Sequence, residues 1–415
     1  MWLRLCANLL LLFCCAAVSN ENVKMSAFGT LGLTFSDSEQ YGYRKDISYD
    51  KGVYAGDVNL LNNSLLGLQF DVSLNQELDF VGQAVLRDMP ISSFDRYVTL
   101  AFLRYSPTVD WTFRIGRMAP DIFLISEYRD IDIAYTWATP PSEIYGIVPY
   151  RHIDGADASY LLRMGPGMLT STLFFGTSEG EVTSGHSSAS DSAIGHIDTV
   201  ELERVFGFSF TYDLIDWSIR AKYTRSTIGT ESAGNQLLAS YITAVPADIW
   251  PDASTYANSL LLEGERVAYA SLSTQGYIDN WILSAELAHI RSTSIQIPRI
   301  YSGYISAAYQ MDEYRVFGVY STTTSELYQF DEPGVAVEHI PELISVIEQS
   351  VNFYTPNQDT FSLGLRWDID TNIAATVQWS HTQIGYGGSA LWISENNLGE
   401  AQTVNTVFAS VSFSL

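Results

Sequence analysis

The chain closes on Thr403-Val404-Asn405-Thr406-Val407-Phe408-Ala409-Ser410-Val411-Ser412-Phe413-Ser414-Leu415, and the spacing within this stretch decides the fold. Val407, Ala409, Val411, Phe413 and Leu415 fall on one parity, and Phe408, Ser410, Ser412 and Ser414 on the other. Alternation at period two is the pattern of a strand whose two faces meet different surroundings. Here one face is apolar and the other is mostly small and polar.

The same unit recurs upstream. Met25 to Phe35, Leu66 to Leu74 and Leu78 to Arg87 alternate in this way, and so do Arg96 to Tyr105 and Trp111 to Arg117. Paired runs follow at Ala156 to Met164 with Leu169 to Gly176, Val205 to Asp213 with Trp217 to Arg225, and Arg266 to Thr274 with Trp281 to His289. Ser302 to Gln310 with Tyr314 to Tyr320, and Thr360 to Asp368 with Ile373 to Ser380, precede the terminal strand. About sixteen strands joined by alternately short and long connections predict an all-β fold, a transmembrane antiparallel β-barrel over residues 20–415. A soluble β-sandwich would show the same alternation with its apolar face turned into a core.

The first nineteen residues read as a secretory signal, with Arg4 in the basic region, Leu9 to Phe13 in the apolar region and Ala17-Val18-Ser19 as the cleavage site. Cys6, Cys14 and Cys15 all lie there, so the mature chain is expected to hold no disulfide, zinc site or thiol nucleophile. Tyr and Trp are abundant, at 25 and 9 residues, and such amphipathic rings belong at membrane–water boundaries. The formal charge of −25 argues against nucleic acid as a partner. Its acids gather in Asp37 to Asp57, Ser178 to Glu203 and Asp331 to Glu348, read as solvated loops. Such loops either form an acidic surface or bridge lipopolysaccharide phosphates through divalent cations, with outer-membrane lipid and lipopolysaccharide as the surroundings.

Parity assigns Arg87, Arg114, Arg163, Arg220, Lys222 and Arg366 to the inner face, and Arg96 and Arg104 with them, as cations of a wet pore wall. The third long connection, about Ala119 to Ile153, is unusual in carrying Ile122, Phe123, Leu124, Ile125, Tyr128, Tyr135, Trp137, Ile144 and Tyr145. A long loop with its own apolar content is expected to fold back on the protein. The prediction is a constriction in which Asp121, Glu127, Arg129, Asp130, Asp132, Glu143 and Arg151 face the wall cations, a transverse field that sorts permeants by charge.

Over residues 98–160 the runs Leu103-Arg104-Tyr105-Ser106-Pro107, Trp111-Thr112-Phe113-Arg114-Ile115-Gly116-Arg117, Tyr135-Thr136-Trp137, Pro140-Pro141-Ser142-Glu143-Ile144-Tyr145 and Asp154-Gly155-Ala156-Asp157 resemble proteobacterial outer-membrane porins. The resemblance implies a sixteen-stranded barrel in the bacterial outer membrane, often a homotrimer, passing ions and small hydrophilic solutes by diffusion. The chain departs from such barrels in ending on Leu415, where they carry Phe or Trp. A solute-specific porin is the nearest alternative, and a barrel acting in adhesion, binding or catalysis is the next.

Chemistry beyond permeation finds little footing. The histidines, His152, His186, His196, His289, His339 and His381, have no metal-ligand spacing. His186 and His196 flank the run Ser187 to Ser192, which is read as a polar loop. Asp368, Asp370 and Asn372 imitate the start of a calcium loop, but Ile373 stands where that loop needs glycine. No catalytic residue, metal or cofactor is expected.

Overall fold

The computed structural model describes residues 22–184, 196–394 and 401–415. The predicted leader with its three cysteines, and the run Ser187 to Ser192, lie outside the described residues.

The strands are β1 (Val23–Ser36), β2 (Leu65–Ser73), β3 (Leu78–Arg87), β4 (Val98–Tyr105), β5 (Trp111–Met118), β6 (Ile153–Met164), β7 (Gly167–Ser184) and β8 (His196–Asp213). They continue as β9 (Trp217–Ile228), β10 (Arg266–Ile278), β11 (Trp281–Ser292), β12 (Ile300–Met311), β13 (Tyr314–Ser325), β14 (Pro356–Asp370), β15 (Ile373–Ser389) and β16 (Gln402–Ser414). Each pairs antiparallel with its neighbours in sequence, and β1 pairs with β16, so sixteen strands close a ring. Paired hydrogen bonds between Ala27 and Leu415, at 3.0 and 2.7 Å, fasten the seam. Closure leaves no unpaired edge, which a chain in hydrocarbon requires.

The two faces divide as the parity predicts. On β16, Val411 is 44% exposed and its neighbour on the other parity, Phe408, is 1% exposed. Leu31, Ile115, Phe175, Leu287, Ile305 and Leu363 continue the exposed apolar belt around the ring. At the short-turn end rings meet in pairs on the outside: Trp111 with Tyr160 at 4.7 Å and Trp281 with Tyr309 at 4.9 Å between centroids. At this end the turns are so tight that Asp279 and Asp312 adopt φ of 50°, a region aspartate tolerates better than most residues.

Three expectations need correction. Arg96 is not on a wall strand: it sits in a one-turn helix, Phe94–Tyr97, capped by Ser93, and pairs with Glu181. β4 begins at Val98, two residues later than the apolar pattern suggests, beside a register shift against β3 at Gln83 and Ala84. In the acid-rich stretch from Ser178 to Glu203 the described residues, 178–184 and 196–203, are strand rather than loop, because β7 and β8 keep pairing beyond the apolar belt, with Glu179 opposite Glu201. Asp331 to Glu348 includes part of a helix, α3 (Pro341–Val351). Its Ile344, Ile347 and Val351 pack on α1 (Ala233–Thr243) and α2 (Ala253–Ser259) around Trp250 and Leu260. No described helix is long and apolar enough to cross a membrane.

Candidate functional site

The segment between β5 and β6 is bound to wall side chains of inner parity on the opposite side of the ring. Ile122 to Ile125, Tyr135, Trp137, Ile144 and Tyr145 form one buried cluster with Tyr269, Ala288, Tyr304, Phe317 and Val319 of β10 to β13. The Trp137 ring nitrogen donates to Ser306 Oγ at 3.0 Å, and the Leu124 amide donates to Glu286 Oε1 at 3.1 Å. Tyr145 donates its hydroxyl to Glu286 Oε2 at 2.7 Å. Buried carboxylate Glu286 thus ties two separate parts of the segment to β11.

The charged residues expected in a constriction fall into three groups. Asp121, Asp130 and Glu127 meet wall cations directly. Asp121 receives Lys222 Nζ at 2.5 Å, Asp130 receives Arg87 at 2.8 Å, and Glu127 pairs with Arg114 at 3.4 Å. Arg129 and Arg151 join Asp130 and Asp46 in a network: Arg151 bridges Asp46 at 2.7 Å and Asp130 at 2.8 Å, while Arg129 donates to the carbonyls of Tyr145 and Val148.

Asp132 and Glu143, by contrast, face no wall cation. Asp132 accepts from the Tyr135 hydroxyl. Glu143, 1% exposed, accepts from Ser321 at 2.8 Å and from Gln358 and Thr360. They hold the segment down with hydrogen bonds rather than presenting charge to water.

Burial and charge act on these carboxyls in opposite senses. For Asp130, burial pushes the pKa up, but Arg87, Arg151 and Arg129 outweigh it and hold the group well below the usual carboxylate range. Asp46 is lowered in the same way, burial being overcome by Arg151 and Arg129. At Asp132 burial wins over Lys45 and Tyr135 and the pKa is raised. Burial takes Arg129 down to about 10 and His152 down to about 4, the latter with Arg117 adding to the effect.

The wall cations are equally divided. Arg220 donates to the Leu124 carbonyl at 2.7 Å, and Arg366 donates to the carbonyls of Tyr135 and Ile133 and to Asp368. Arg104 pairs with Asp79 at 3.0 Å, and Arg114 with Asp157 at 2.6 Å. Arg163 stands exposed beside the β6–β7 turn, at the rim. Lys222, Arg220 and Arg366 therefore anchor the segment, whereas the Arg104 and Glu127 side chains, 40% and 69% exposed, keep contact with water and Arg114 lies mostly buried between Glu127 and Asp157.

Sequence reading puts Asp79 on the inner face with Gln83 and Arg87 but pairs no wall acid with a cation; Asp157 and Glu286 share that parity and could have been set against the cations by the same rule. Asp46 gave no such signal, since it lies in the first long connection with no periodic pattern around it.

No protein-family model and no curated protein matches the chain. Among solved structures it is similar to OmpF of Salmonella typhi in complex with daunomycin, at 12% identity and a TM-score of 0.51, covering 95% of this chain and 98% of that one. It is also similar to the outer membrane channel DcaP of Acinetobacter baumannii, at 12% identity and a TM-score of 0.51 over 96% and 99% of the two chains. An anion-selective porin from Comamonas acidovorans matches at 10% identity and a TM-score of 0.51 over 95% and 100%. The likeness runs the length of both chains in every case, and with sixteen strands closed around an apolar belt the chain has the fold of the bacterial outer-membrane porins.

Proposed function

We propose that this chain forms a water-filled channel in the bacterial outer membrane through which ions and small hydrophilic solutes diffuse. The observation that carries the reading is the placement of segment 119–152, pinned to inner-parity residues of β8 to β15, while Arg104, Arg114, Asp79 and Asp157 lie on the opposite wall and Glu127 of the segment reaches Arg114 there. Such an arrangement narrows the lumen to one side and lines what is left with paired charges of both signs. A field across that gap sorts solutes by charge without binding any of them tightly.

A homotrimer is part of the proposal. β4 and β5 have only 8 residues each, short of the roughly 9–11 that a lipid-facing strand needs. Next to them Phe94, Leu60 and Leu61 expose apolar surface on the long-loop side. That low wall suits contact with further copies better than contact with lipid.

The test is conductance of the folded protein in planar bilayers under a salt gradient. Discrete steps support the channel, and steps in threes support the trimer. Silence from a folded, heat-modifiable barrel would overturn the channel reading. Within it, Glu127→Gln should move the reversal potential toward anion preference, while Asp132→Asn, buried and paired with no wall cation, should leave it unchanged. A shift of equal size in both variants would refute this division of roles.

A further inference from the structure

Four arginines that take no part in the pairs above gather on the outside of the wall. Arg225 on β9, Arg266 on β10, Arg291 on β11 and Arg299, just before β12, line one open cavity of ≈ 750 Å³ at the long-loop rim. All four are exposed, and no ion pair among the described residues involves them. Glu326 is the one carboxylate among the lining residues.

Register sets them in a row. Arg225 lies opposite Ala268, and Ala268 lies opposite Arg291. The pairs His289 with Tyr301 and Ile290 with Ile300 place Arg299 beside Arg291. At a strand spacing of about 4.8 Å, three of the guanidinium stems start within about 15 Å of one another. One step nearer the belt the outer face carries Tyr223, Ala270, His289 and Tyr301 in the same order, and Leu272 and Leu287 one step beyond.

In a chain of net charge −25, placing 4 of 22 basic residues side by side is unfavourable by itself, because like charges on neighbouring strands repel. An anion relieves it. Guanidinium forks match phosphate oxygens two at a time, and basic clusters at the edge of an apolar belt meet the phosphates of lipid headgroups. Ala268 and Ala270 leave a shallow track down the wall between the rings of Tyr223 and His289, leading from the arginines toward Leu272.

We propose that this patch binds the phosphorylated headgroup of an outer-leaflet lipid, its phosphates held by Arg225, Arg291 and Arg299 and its acyl chains laid over Ala268 and Ala270. The contact is direct, through arginine, unlike the divalent bridging expected from acidic loops. It rests on the reading of the barrel as membrane-spanning.

Native mass spectrometry of the detergent-solubilised full chain tests it, with diphosphoryl lipid A, fully dephosphorylated lipid A and inorganic pyrophosphate as probes. The triple variant R225Q/R291Q/R299Q is compared with K24Q/K51Q/R204Q, which removes the same charge at exposed sites elsewhere. Expected is a loss of about a hundredfold in affinity for diphosphoryl lipid A in the first variant only. Unchanged affinity in that variant, or equal binding of the dephosphorylated lipid, would overturn the site. Pyrophosphate binding as tightly as the lipid would instead make it a site for a soluble anion, and would overturn the lipid assignment. Heat-modifiable gel mobility is recorded for every chain, so that failure of the barrel itself is seen before lipid is added. Should the triple variant not fold, Arg291→Gln against Arg291→Lys makes the same comparison, with the lysine variant expected to keep more of the affinity.

Discussion

At the scale of single residues, Gly116 shows how closely neighbouring strands approach. Its φ of +129° lies where side chains are strained, and a Cβ there would stand 2.3 Å from the Ala101 carbonyl oxygen. Gly116 lies opposite Gly155, which in turn lies opposite Gly176. Three glycines in a row remove the side chains from one patch of wall across β5, β6 and β7. Gly116→Ala should therefore destabilise the barrel by about 1–3 kcal/mol, measured by urea unfolding in lipid vesicles. A change within error would mean that the strand relaxes without cost. Lys222 is the other sensitive position, since its side chain is 1% exposed and answers Asp121 at 2.5 Å. Lys222→Met leaves that carboxylate largely buried without its cation, and about 3 kcal/mol or more should be lost. Asp121→Asn in the same background should recover part of it.

At the scale of elements, the Asp130 network decides how firmly segment 119–152 is held at its long-loop end. Arg87, Arg151 and Asp130 are all less than one-fifth exposed, so the pairs are little screened by water. The folded pKa of Asp130 lies below that of an unfolded carboxylate, about 3.9. Its contribution is thus complete above about pH 4–5 and disappears as the pH falls through the folded value. Open-channel current noise should be steady from pH 8 to 5 in its Asp130-dependent part and rise below about 4, and Asp130→Asn should show the acid behaviour already at pH 7. Noise in that variant no greater than in the parent protein would show that the segment is held by its apolar cluster alone.

These elements were unequally legible in the sequence. The wall was readable because lipid and water impose opposite demands on alternate residues, so Phe361, Leu363 and Leu365 declare one face and Ser362 and Arg366 the other. The third connection could be singled out by Phe123, Trp137 and Tyr145, side chains with no use in free solvent. Its partners were not readable. Asp121 meets Lys222, 101 residues away, through the closure of the ring, and no local pattern encodes that distance. Helix α3 escaped because Ile344, Ile347 and Val351 are interleaved with acids in a stretch whose charge dominates composition. Arg96 was misplaced because a helical turn and a strand end both tolerate Phe94-Asp95-Arg96-Tyr97.

At the scale of the whole molecule, walls of unequal height surround one lumen. β7 and β8 run for 18 residues each and β15 for 17, against 8 for β4 and β5. Paired β7 and β8 extend beyond the belt, and α1, α2 and α3, in the connections that follow β9 and β13, pack into one cap on the long-loop side. In the proposed channel, solute entering from that side would meet this cap before segment 119–152. Deleting 234–259 should therefore raise conductance without changing ion preference, since the residues that set charge lie deeper. A change in the sign of selectivity would move the filter outward to the cap.

The seam between β1 and β16 has a consequence of another kind. Ala27 and Leu415 are joined by the same two-way hydrogen bonding found elsewhere in the ring, so the point at which the chain begins is a matter of topology rather than of architecture. The gene could be cut at the turn of Asp312 and Glu313 and its old ends spliced with a short polar linker, and the same cylinder would be specified in rotated order.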